Sequence, residues 1–105
     1  MANSYKTLAQ GQVAASVGTI YTPSGSTSAI VKEIIFLNTD SANRTLSVYQ
    51  NGTAAANQIF GSATLGPGET VVFTGAITLA NGDTLKAVAD SGSKITYTLE
   101  GVEIS

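Results

Sequence analysis

Apolar and polar residues alternate along most of this chain, and glycine interrupts the alternation again and again. A period of two is the mark of half-buried strands, and no stretch sustains the stripe of apolar positions three and four apart that a helix needs. Eleven glycines and two prolines punctuate the pattern in the way that tight turns punctuate short strands. The expected fold class is therefore all-β: an antiparallel β-sandwich or a jelly-roll-like barrel of about eight strands. A length of 105 residues suits a single β-sandwich domain, residues 1–105, with a core large enough to need no metal or disulfide.

The alternation places strands at residues 5–12, 16–22, 29–38, 44–50, 58–65, 69–74, 84–89 and 94–104. Between them, Pro23 and Gly25 mark a loop, residues 40–43 a turn, and Asn51-Gly52 a tight turn. The three alanines 54–56 are compatible with a short helical turn. The strand from Ala29 to Asn38 is apolar on both faces. Strict alternation puts Ile30, Lys32, Ile34 and Phe36 on one face and Val31, Glu33, Ile35 and Leu37 on the other. A strand with one solvated face alternates more cleanly. The first set, Ile30, Lys32, Ile34 and Phe36, is thus a candidate subunit interface, with the opposite set as its alternative. Glu33 is expected to pair with a Lys or Arg, across a subunit boundary if not within the chain.

Two further patterns carry structural information. Residues 64–71 and 78–85 repeat a motif: Thr-Leu, a spacer, Pro or Asn, Gly, an acid, Thr and an aliphatic residue. Each reads as a tight turn whose carboxylate accepts a bond from a turn N–H, giving two hairpin-like corners of a meander or Greek key. In the last strand the apolar positions change parity, from Ile95, Tyr97 and Leu99 to Val102 and Ile104. A bulge near Glu100-Gly101 would return both sets to the core.

The chemistry available is limited. With no His and no Cys, the Ser-His-Asp and Cys-His constellations and the usual zinc sites are excluded. The seven acids are dispersed, so neither a carboxylate pair nor a calcium site is indicated, and no metal or cofactor is expected. No glycine-rich phosphate loop lies between a strand and a helix. The five basic residues are scattered singly in a chain of net charge −2, which argues against nucleic acid. No apolar run is long enough for a helical membrane span. Charged residues make up 11% of the chain, against about 25% in an ordinary soluble domain, so its surface is suited to contact with other protein. The expectation is a protein without catalytic activity. A glycan-binding module is the alternative, with Tyr49, beside the Asn51-Gly52 turn, as the exposed aromatic among Tyr5, Tyr21, Tyr49, Phe60 and Tyr97.

The stretch from Lys32 to Asp40, the following Arg44 to Tyr49, the Leu65 to Thr70 and Gly82 to Leu85 segments and the terminal Tyr97 to Glu103 together resemble small structural proteins of tailed bacteriophages. The likeness spans most of the chain and is carried by turn and strand patterns. It implies a β-sandwich or jelly-roll module on a virion: a capsid decoration protein, a head-fibre base, or a tail or fibre adaptor. It implies a homo-oligomer such as a trimer, bound to virion proteins such as the major capsid protein, and made in the host bacterial cytoplasm. No catalytic or binding residue is implied by it.

Overall fold

The structure, a computed structural model, describes residues 3–105. Eight strands follow in order: β1 (Asn3–Gln12), β2 (Gly18–Tyr21), β3 (Ser28–Asn38), β4 (Arg44–Gln50), β5 (Gln58–Leu65), β6 (Thr70–Leu79), β7 (Leu85–Ala89) and β8 (Ile95–Ile104). A single 3-10 turn at Ala55–Asn57 precedes β5, at the alanine run. The strands form two four-stranded antiparallel sheets, ordered β1-β8-β3-β6 and β2-β7-β4-β5. This is the order of an eight-stranded jelly roll.

The order corrects one expectation. The repeated turns at 66–69 and 80–83 are not hairpin corners, because β5, β6 and β7 alternate between the sheets. Each turn carries the chain from one layer to the other, and among the described strands only β4 and β5 are consecutive and paired. The chemistry of the turns is as expected. The Gly66 N–H donates to Glu69 Oε1 at 2.6 Å and the Ala80 N–H to Asp83 Oδ2 at 2.9 Å. Gly68 and Gly82 hold φ of 71° and 90° at the position where only glycine sits without strain.

The core lies between the layers. Val31, Ile34, Phe36, Leu46, Val48, Leu65, Leu79, Leu85, Ile95 and Leu99 are fully buried in one cluster. Each contributes about 1.5–3 kcal/mol of apolar burial. Phe36, Phe60 and Phe73 stack edge to face, with centroids 6.2 and 5.3 Å apart, and close the side of the sandwich where β5 and β6 are the outermost strands. The buried polar residue Asn38 ties turns together. Its amide nitrogen donates to the carbonyls of Ala42, Leu65 and Gly66, and its Oδ1 accepts from the Asp40 N–H.

The faces of β3 differ from strict alternation. Val31 pairs with Gly101 of β8 and Glu33 with Glu100, so Lys32 is an extra residue with no cross-strand partner. This bulge inverts the parity of the strand. Ala29 and Val31 are buried before it, and Ile34, Phe36 and Asn38 after it. Ile30, Lys32, Ile34 and Phe36 therefore do not share a face. Ile34 and Phe36 belong to the core, whereas Ile30 points outward.

The parity change in β8 has the same origin. Register is continuous along β8, and the irregularities fall in its neighbours, at Leu8 of β1 and Lys32 of β3. The expected bulge at Glu100-Gly101 is thus displaced onto the flanking strands. Val102 and Ile104 share a face with Tyr5 and Ile30, outside the main core cluster, instead of returning to it. Gly101 is required at this point, because a Cβ there would collide with the Ile30 carbonyl.

Candidate interaction surface

Residues directly opposite on paired strands project to the same face, so the register maps the outer surface of each sheet. On the β1-β8-β3-β6 sheet, one row runs Tyr5, Val102, Ile30 and Thr78. A second row runs Gln10, Thr98, Ile35 and Val72, and beyond it Leu37 stands between Thr96 and Thr70. Tyr5 is 83% exposed and Val72 48%, while Ile30, Ile35 and Leu37 are half-buried and Val102 is buried. Isolated apolar residues on a surface mean little, but this grouping on one sheet face does.

A charged row separates the two apolar rows. Glu100 and Glu33 face each other across β8 and β3, and Thr7 Oγ1 donates to both oxygens of Glu100, at 3.0 and 3.1 Å. Like charges directly opposite disfavour a sheet. Lys32 sits in the bulge beside them and is exposed. Among the described residues neither Lys32 nor Glu33 makes an ion pair or a side-chain hydrogen bond, so the Lys or Arg partner expected for Glu33 is not found among them. The ion pairs present lie elsewhere: Lys6 with Glu103 at 3.4 Å, and Arg44 with Asp40 at 2.6 Å and Asp90 at 3.8 Å. The Arg44 hydrogen bond, followed by that from the Ser41 N–H, holds the Asp40 carboxyl below its ordinary pKa.

The outer face of the second sheet is more polar. Its register groups Thr19, Lys86 and Tyr49 with Gln58, Ser47 with Val88, and Thr45 with Thr64.

The four outermost strands offer poor templates for further strand pairing. β2 has four residues. The β4–β5 register slips twice, and Ser62 there adopts φ 37°. β1 bulges at Leu8, and β6 sets Gly75 and Ala76 against Lys32 alone. A face, not an edge, is the surface available for contact.

The aromatic residues are distributed differently from the expectation. Tyr97 and Phe60 pack on the core as alternation required, and so does Tyr21. The Tyr21 hydroxyl is buried without a hydrogen-bond partner, and burial followed by the charge of Glu103 pushes its pKa up. Tyr49 is half-buried, and the exposed tyrosine is Tyr5. Register places these two on opposite outer faces, so they cannot form one platform. Among the described residues no three acids cluster as metal ligands would.

No protein-family model matches the chain, and no curated protein sequence does. Its fold is found in solved structures. A chain of infectious bursal disease virus, Gx strain, superposes with a TM-score of 0.56 at 15% identity, covering 97% of this chain and 32% of the viral one. A chain of the T13 particle of the same virus gives 0.57 at 8% identity, covering 97% and 30%. A chain from Bacillus endospore appendages, described as a family of disulfide-linked pili, gives 0.54 at 10% identity, covering 99% and 87%. The chain thus spans about a third of the viral chains and most of the appendage chain. At these identities the likeness is one of fold.

Proposed function

We propose that this chain is a non-enzymatic structural subunit of a bacteriophage virion, an accessory or decoration protein that binds a capsid or tail surface in multiple copies. The observation that carries the reading is the outer face of the β1-β8-β3-β6 sheet, with its apolar rows, in a molecule whose edge strands are blunted. Likeness of fold to chains of a virus particle and of a surface appendage supports an assembly role. The appendage's disulfide linkage cannot apply here, because the chain has no cysteine. The work of such a subunit is mechanical: each copy adds buried contact, and many copies engaged together make a lattice resist pressure. Partners on this reading are other copies and the major capsid protein, and synthesis is in the bacterial cytoplasm. The glycan-binding alternative has lost its aromatic platform, since Tyr5 and Tyr49 lie on opposite faces.

Electron microscopy of particles assembled with and without the chain tests the proposal. Missing density at a repeated position on the particle surface is the expected result. Identical particles in both preparations would overturn it.

A further inference from the structure

We infer that the outer face of the β1-β8-β3-β6 sheet pairs with the same face of a second copy about a two-fold axis, with Ile30 against Ile35 and Lys32 against Glu33. The inference deepens the proposed function and rests on it for its biological setting, but the physical argument is separate.

The argument starts from the order of side chains on β3. Leaving out Val31 and Ile34, which point into the core, the outward sequence is Ile30, Lys32, Glu33, Ile35. The bulge at Lys32 makes this possible, because it brings two consecutive residues to the same face. The result is a pattern symmetric in shape and antisymmetric in charge: apolar, cation, anion, apolar. Turning a second copy about an axis across the strands, between Lys32 and Glu33, lays the pattern on itself. Ile30 of each copy then meets Ile35 of the other and Lys32 of each copy meets Glu33 of the other, while the two Glu100 carboxylates, each held by Thr7, come together on the axis and oppose the contact. An isologous contact requires this kind of self-complementarity.

Two further observations favour a second copy as the occupant. Among the described residues Glu33 faces Glu100 and Lys32 makes no ion pair, so each copy lacks what the other supplies. The area is also adequate. Four strands about 4.8 Å apart and ten residues long present a flat footprint on the order of 600 Å², near the roughly 800 Å² per partner of a standard interface. Two twisted sheets meeting in this way align about 30° apart, the common angle for face-to-face packing. The contact is two-fold and gives a dimer in place of the trimer expected at first.

Light scattering and sedimentation equilibrium of the purified chain test the inference. The wild-type chain should be a dimer. Ile35→Asp should be monomeric with an unchanged circular dichroism spectrum and a thermal midpoint that, unlike the wild type's, does not rise with protein concentration, because Ile35 lies outside the core. Lys32→Glu and Glu33→Lys each set like charges together twice, and each should weaken dimerisation about ten-fold or more. The double exchange Lys32→Glu with Glu33→Lys should restore it, which loss of an unrelated contact would not do. A chain that stays monomeric up to about 1 mM, a trimer, or a dimer indifferent to the charge exchange would overturn the inference. Particle binding separates the two proposals. A monomer that still occupies virions removes this interface and leaves the function, and a dimer that never associates with a particle does the opposite.

Discussion

The two outer faces of the sandwich are built from the same fold and the same limited alphabet, yet they differ in how much apolar surface they turn outward. On the β2-β7-β4-β5 sheet, Thr, Ser and Gln dominate the outer positions around Val88 and Lys86, while Arg44, opposite the buried Leu65 and so on the inner side at the sheet's end, is paired with Asp40 and Asp90. On the β1-β8-β3-β6 sheet, Ile30, Ile35, Leu37 and Val72 stand outward, with the buried Val102 in the same row as Ile30, around Lys32 and Glu33, which make no ion pair among the described residues. A polar outer face is the default for an antiparallel sheet with one buried side. The first sheet departs from that default by way of one inserted residue, Lys32. The difference teaches that the inner and outer residues of β3 have separate duties, stability and contact, although they adjoin in sequence.

The largest test of that separation compares neighbours. Phe36→Ala removes a fully buried ring and its edge contact with Phe60, and it should cost about 3–5 kcal/mol in urea unfolding. Ile35→Ala, one residue away on the outer face, should cost about 1 kcal/mol or less at high dilution. Similar losses at both positions would mean that the two faces of β3 do not have separate duties. A smaller effect is expected at Gly101, where the bulged β3 backbone presses against β8. Gly101→Ala should lose about 2 kcal/mol, because the obstacle is the Ile30 carbonyl and not a movable side chain. It should also loosen the Ile30–Val102 row, read as faster amide exchange there than along the second sheet.

Much of this organisation was legible in the sequence, and what was missed has a common cause. Strand positions followed from alternation and turn chemistry, both local. The paired turns were read correctly down to the carboxylates of Glu69 and Asp83, because donor and acceptor lie three residues apart. What local pattern could not show was which sheet each strand joins, so cross-layer turns looked like hairpins. β6 was cut short at Thr74 because Gly75 reads as punctuation, whereas it lies in an irregularity of the strand. The bulge at Lys32 is a relation between strands. Its one local trace was an apolar run on both faces, which strict alternation split into the wrong sets and so made Ile34 and Phe36 into surface residues. Asn38 left no signal, since two of the carbonyls it holds are 27 and 28 residues away. Of the four residues grouped as a candidate surface, Ile30 and Lys32 face outward and Ile34 and Phe36 face the core, so the set cannot act as one surface.

The smallest expected effect concerns the polar end of the second sheet. Asp40 is held below its ordinary pKa of 3.8, first by the Arg44 hydrogen bond and then by the Ser41 N–H. A carboxyl whose folded pKa lies below its unfolded one stabilises the fold where it is ionised in both states, and that contribution is lost as protons bind. The contribution of Asp40 is therefore complete well above pH 3.8 and declines as pH falls through that value toward the lower folded one. Thermal midpoints of the wild-type chain should fall across this acid range more steeply than those of Asp40→Asn, with the two curves converging at the acid end. Charge reversal at Lys32 should leave this pH profile unchanged, since Lys32 is not among the groups that shift Asp40. Parallel curves for wild type and Asp40→Asn would mean that the Arg44 pair is too well solvated to stabilise this end of the sheet, as many surface pairs are.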